Sequence, residues 1–204
     1  MDSSWQPATN SATSLGTKAV VIGASTGGPT ALLEILKNLP TLSLPLLVAQ
    51  HMPPQFVPEF AAYLTHNTEH VVEVGTQNAM ITDGHVYVAP GDGDMRVMRD
   101  ALDQCHLILV PPSAFLKPNI DVLMASVATV YGAGSLGVIL TGMGTDGLEG
   151  MRAIKSVGGK TIVQDEATSA VYGMGQAVNE EHLADEVLPL SKIAAAISAW
   201  SALS

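Results

Sequence analysis

A serine, a histidine and an aspartate occupy equivalent places in this sequence, each just beyond an apolar run. Ser25 follows Ala19-Val20-Val21-Ile22-Gly23-Ala24 and opens the glycine-rich stretch Thr26-Gly27-Gly28-Pro29. His51 follows Leu46-Leu47-Val48-Ala49-Gln50 and precedes Met52-Pro53-Pro54. Asp146 lies in Thr141-Gly142-Met143-Gly144-Thr145-Asp146-Gly147, which continues Val138-Ile139-Leu140. A hydroxyl, an imidazole and a carboxylate are the set that acyl transfer requires: an attacking oxygen, a base for its proton, and an acid that fixes the base's tautomer. The turn at Ser25 also leaves backbone N–H groups free at the start of a helix, where developing negative charge is stabilised.

These groups can meet only if the strands they follow lie side by side. Residues 19–22, 46–50, 136–140 and 160–164 read as strands, and 30–36, 54–65, 120–131 and 148–157 as helices. Their alternation predicts an α/β fold, a doubly wound, mostly parallel sheet with helices on both faces. Sites in such sheets form beyond the C-terminal ends of the strands, which is where the three residues fall. One block interrupts the alternation. Residues 70–74 and 85–88, with Thr82-Asp83-Gly84 between them, read as an antiparallel hairpin or edge insertion, continued by short strands at 95–98 and 106–110. Residues 1–17, rich in Ser, Thr, Asn and Pro, read as a flexible lead-in or linker, and 18–204 as one folded domain.

Taken singly, each candidate has an ordinary reading. Ser25 could be a helix N-cap, His51 a loop histidine, and Asp146 a turn former or cap. Asp92 and Asp94 in a turn, Asp121 early in a helix and Asp165 after a strand compete for the acidic role. Only Asp146 combines a strand end with a glycine-flanked loop. His66, His70, His85, His106 and His182 sit in helix, strand or tail contexts that predict surface or half-buried positions.

Other chemistries fit poorly. The 23–28 turn lacks the middle glycine of G-x-G-x-x-G, no acidic residue ends the second strand, and no Gly-Lys-Ser/Thr follows. The serine is not framed as G-x-S-x-G, and the order Ser–His–Asp differs from that of α/β-hydrolases. His66 and His70 form a pair without a third ligand, so no metal and no cofactor is expected. Cys105 is the sole cysteine, which rules out an intrachain disulfide. A net charge of −10, with 9 basic against 19 acidic residues, argues against nucleic acid or an anionic membrane surface as partner. Neither a signal-peptide pattern nor an apolar run of bilayer length is present, and a cytoplasmic protein is expected.

The chain resembles the catalytic domain of the chemotaxis receptor methylesterases, the CheB family. The resemblance is carried by Ile22 through Pro29, Gln50-His51-Met52-Pro53, Tyr87-Val88-Ala89-Pro90-Gly91-Asp92, Pro118 through Leu123, Gly137 through Gly147, Gln164-Asp165-Glu166-Ala167 and Tyr172-Gly173-Met174. It implies a serine hydrolase that removes methyl groups from glutamate methyl esters on the cytoplasmic helices of chemoreceptors and deamidates receptor glutamines. It further implies Ser25 as nucleophile, His51 as base, Asp146 as orienting acid, and the backbone N–H groups of Thr26 and Met143 as oxyanion donors. Lys117-Pro118-Asn119-Ile120-Asp121 stands where the family usually has Arg-Pro-Ser-Val-Asp, and Gly175 where it usually has proline. Most members also carry an N-terminal receiver domain; here it is expected to be separate or missing, leaving the site constitutively open. The alternatives are a non-catalytic receptor-binding module on the same scaffold, or a hydrolase of small esters.

Overall fold

A strand that is apolar on both sides must be covered twice, and that requirement organises the molecule. In the computed structural model, which describes residues 17–203, the chain runs through β1 (Ala19–Ala24), α1 (Gly28–Asn38), β2 (Leu46–Gln50), α2 (Val57–Asn67), β3 (Val71–Val74) and β4 (His85–Val88). It continues through β5 (Asp94–Arg99), β6 (Cys105–Val110), α3 (Ile120–Tyr131), β7 (Ser135–Ile139), α4 (Leu148–Ser156), β8 (Lys160–Gln164), α5 (Gly173–Glu180), β9 (Glu186–Leu188) and α6 (Leu190–Ser201). Of the lead-in expected over residues 1–17, all but Thr17 lies outside the described residues.

Seven strands form one sheet in the order β3-β4-β2-β1-β7-β8-β9, and every neighbouring pair is parallel. β1, β2 and β7 are buried along their whole length and make the centre. The strand period of two sends alternate side chains to opposite layers. Val20, Ile22 and Ala24 join a core with Leu32 and Ile35 of α1, Phe60 and Leu64 of α2, and Ile193 and Ile197 of α6. Ala19 and Val21 join the other, with Leu123 and Val127 of α3, Met151 and Ile154 of α4, and Met95 and Leu107 of the β5–β6 hairpin. The expected doubly wound sheet is therefore present. Among the described residues no helix is long and apolar enough to cross a membrane.

One expectation is corrected. Segments 71–74 and 85–88 pair in parallel, with Val71 opposite His85, and are not a hairpin. The turn at Thr82-Asp83-Gly84 exists, since the His85 N–H reaches the Thr82 carbonyl at 3.4 Å, but it redirects a crossover. The connection first runs along β6: the N–H groups of Asn78 and Ile81 donate to Leu107 and Cys105, and the Leu107 N–H donates to Ala79. That excursion lets the chain re-enter the sheet in the direction it left. The antiparallel pair is β5–β6, in register from Asp94 opposite Val110 to Arg99 opposite Cys105. The sequence pattern does not predict α5, β9 and α6. α6 had a legible signal in Ile193, Ala194, Ile197 and Trp200, all buried at helical spacing. β9 is three residues with a polar start, too short for a periodic signal.

Candidate active site

The three candidate residues leave the sheet from adjacent strands at one level. Ala24 pairs with Gln50, so Ser25 and His51 are each one residue beyond the last rung of β1–β2. The His51 N–H donates to the Ala24 carbonyl and the Ser25 N–H to the Thr141 carbonyl, both at 3.0 Å. The chain leaves β1 toward β2 on one side and later lays β7 on the other, so the strand order reverses here. Such a reversal opens a crevice above the strand ends.

None of the three groups is occupied in the ordinary way. The residue capping α1 is Gly27, in the left-handed region at φ 83°, and no side chain caps that end. Left-handed backbone costs a glycine nothing, so the turn can close on a Gly28 N–H to Ser25 carbonyl bond of 2.8 Å while the Ser25 hydroxyl stays free. Its Oγ lies 3.1 Å from His51 Nδ1. His51 Nε2 lies 2.7 Å from Asp146 Oδ2. Asp146 does not cap its own following helix, α4, whose first position belongs to Gly147. Its carboxylate instead accepts the first two free N–H groups of α3: Ile120 to Oδ2 at 2.9 Å and Asp121 to Oδ1 at 3.1 Å.

The electrostatics follow from those contacts. Burial alone pushes the Asp146 carboxyl up. The hydrogen bond from His51 and the two backbone N–H groups outweigh it, and the net effect holds the carboxyl below its ordinary value. An ionised carboxylate only accepts, so the proton of the neutral imidazole sits on Nε2, and Nδ1 offers its lone pair to the Ser25 hydroxyl. The two ring nitrogens are thus used the opposite way round from the serine-protease triad. The His51 side chain is 6% exposed, so little water competes for the ring.

A second set of contacts ties the loop after β7 to the turn at Ser25. Gly142 follows β7 with its Cα against Ser25: a Cβ there would lie 2.7 Å from the Ser25 Cβ, closer than side chains tolerate. Its N–H donates to Val171 and its carbonyl accepts from Met174. Among the described residues neither the Thr26 nor the Met143 N–H donates to a protein acceptor. The Thr141 hydroxyl donates to the Thr26 carbonyl at 2.9 Å, tying the two segments together.

Sequence reasoning missed Gln50. It is 2% exposed, and its Nε2 donates to the Ser25 carbonyl at 2.9 Å and the His51 carbonyl at 3.0 Å, bridging the two segments. Among the described residues its Oε1 finds no partner. A polar residue closing an all-apolar strand was the available signal. Asp94 is fully buried but anchors a loop: its carboxylate accepts the Ser113 N–H and hydroxyl and the Asn119 N–H. That loop carries Phe115, Leu116 and Lys117, which with Ser25, His51 and Met52 line a cleft of about 420 Å3. Asp165 closes a local turn with Thr168. The other histidines lie elsewhere. His70 contacts the Leu39 carbonyl, His85 pairs with Glu73, and His106 pairs with Asp100. A larger groove of about 640 Å3, between the hairpin and α3, holds no nucleophile–base pair.

Comparison with known proteins points one way. The family model described as CheB methylesterase matches residues 20–197. A Nocardioides protein named protein-glutamate methylesterase/protein-glutamine glutaminase is 43% identical over 179 residues, covering 87% of this chain and 49% of the relative. A Moorella thermoacetica protein of the same name is 46% identical over 188 residues, covering 90% of this chain and 44% of the relative. The chain thus spans about half the length of these curated relatives. The crystal structure of the Thermotoga maritima CheB methylesterase catalytic domain superposes with a TM-score of 0.87 at 36% identity, covering 91% of this chain and 99% of that one.

Proposed function

The chain belongs to the CheB methylesterase family, and from that premise we propose that residues 18–204 form a catalytic domain that hydrolyses glutamate methyl esters on chemoreceptor helices. The observation that carries the reading is the Ser25–His51–Asp146 relay at three neighbouring strand ends. His51 Nδ1 takes the Ser25 proton as Oγ attacks the ester carbonyl, and the Thr26 and Met143 N–H groups receive the oxyanion. The imidazolium, held by Asp146, returns the proton to departing methanol. Water then enters by the same route and releases the glutamate carboxylate. With a glutamine side chain the leaving group is ammonia, which gives deamidation without altering any other step.

The rim supports a macromolecular substrate over a small ester. Phe115 is 96% exposed and Met143 71% exposed, beside a serine that is itself half-buried. Exposed apolar side chains around a shallow cleft suit the side of an amphipathic helix. The test is methanol release from methylated receptor membranes. Ser25→Ala should abolish it with folding intact, and release at the wild-type rate would show that Ser25 is not the nucleophile. Labelling of Ser25 by a fluorophosphonate separates this reading from a non-catalytic binding module.

A further inference from the structure

Two carboxylates, not one, join α3 to the loop after β7. Asp146 accepts from the start of α3, as described. In return Asp121, in the first turn of α3, accepts the Gly150 N–H of α4 through Oδ1 at 2.7 Å. The free N–H groups at the start of α3 are shared between Asp146 and Asn119, whose side chain takes Val122. The start of α4 has only Gly147 at its cap and no side chain of its own there. The start of each helix therefore also receives a carboxylate from the other side of the junction. The loop between β7 and α4 is held at its far end by Asp121, and that loop carries Asp146.

Asp121 touches neither Ser25 nor His51, and the mechanism above does not use it. Yet its backbone N–H is bonded to the Asp146 carboxylate, which sets the two charges next to one another. The charged groups that act on it are Asp146 and Glu149 at the start of α4; Arg96 of β5 lines the same groove. Burial raises the Asp121 carboxyl, and repulsion from Asp146 and Glu149 raises it further; the Gly150 and Gly147 N–H groups pull it back.

We infer that Asp121 is a positioning residue for the relay, pinning the loop that presents Asp146. This rests on the reading of Ser25 as nucleophile. The test is the rate of fluorophosphonate labelling at Ser25 for the unaltered chain, Asp121→Ala and Asp121→Asn. Alanine removes the pin, and the rate should drop about tenfold or more through misplacement of the acid. Asparagine keeps an acceptor for the Gly150 N–H and should recover most of the rate. An alanine variant labelled at the wild-type rate, or an asparagine variant as slow as the alanine one, overturns the inference. If Asp121→Ala does not fold, Asp121→Asn decides alone: folded protein labelled at less than about a tenth of the wild-type rate overturns the inference. Failure of the unaltered chain to take label overturns the nucleophile reading and this one together; normal labelling with unmoved variants overturns this one only.

Discussion

Replacing Asp146 by asparagine tests the geometry most sharply, because the change is nearly isosteric and the hydrogen-bond pattern cannot accommodate it. Oδ2 receives two donors, His51 Nε2 and the Ile120 N–H, and Oδ1 receives a third, the Asp121 N–H. An amide has one acceptor oxygen and one NH2. With the oxygen at the Oδ2 position, the NH2 faces the Asp121 N–H. With the oxygen at the Oδ1 position, the NH2 faces Ile120, and His51 must turn its lone pair toward the amide, which puts a proton on Nδ1 against Ser25. Either arrangement leaves two donors opposed, and the imidazolium loses its counter-charge. The equivalent substitution in a serine-protease triad costs about 10^4 in turnover. A loss of about 10^3 to 10^4, or about 4 to 5.5 kcal/mol in the barrier, is therefore expected here. The opposed donor should also destabilise the fold by about 1–3 kcal/mol, with each kcal/mol lowering Tm by about 2–4 °C. The assay is steady-state methanol release together with thermal melting, so that lost activity is not confused with lost protein. A variant that keeps turnover within about tenfold of wild type while remaining folded would refute the assignment of Asp146 to the base.

Three further outcomes follow from the same contacts. Gly142→Ala would place a Cβ 2.7 Å from that of Ser25 and against the Met174 sulfur, so labelling of Ser25 should fall at least about a hundredfold through misplacement; an unchanged labelling rate would show that the strand end yields. Asp94→Ala leaves the donors of Ser113 and Asn119 unpaired beneath the cleft loop, and should cost about 3 kcal/mol in urea denaturation and raise KM more than it lowers kcat. Because the Asp146 carboxyl is held below its ordinary value, its contribution to stability is complete above the unfolded value of about 3.9 and is lost as pH falls through the lower folded one. The gap in urea midpoint between wild type and Asp146→Asn should then close below about pH 4, and a gap that persists unchanged to about pH 2.5 would contradict the depressed value.

Much of the site was legible in the sequence because its signals are local. An apolar β-branched run ended by Ser-Thr-Gly-Gly-Pro specifies a strand, a tight turn and a helix start without reference to distant residues. The same holds where His51 and Asp146 end their runs, and the strand-end rule then places all three on one edge. Where the reading went astray, a local signal was right and its partner was wrong. Thr82-Asp83-Gly84 does turn, but the hydrogen bonds of residues 78–81 go to β6, and the two strands it seemed to join run in parallel.

What the sequence determined by itself was the inventory: a serine, a histidine and an aspartate beyond three strands, a glycine-rich turn to expose the first, and the patterning of a doubly covered sheet. Only the tertiary structure decided how they meet. It set β2, β1 and β7 side by side, turned Nδ1 of His51 to Ser25, and brought the start of α3 under Asp146. It also gave Gln50, Asp94 and Asp121 their anchoring roles. The physical reason is that a strand or a turn is fixed by bonds within a few residues, whereas these contacts join segments far apart in the chain. Such segments meet only when both faces of the sheet are packed, and no local pattern records which of them will.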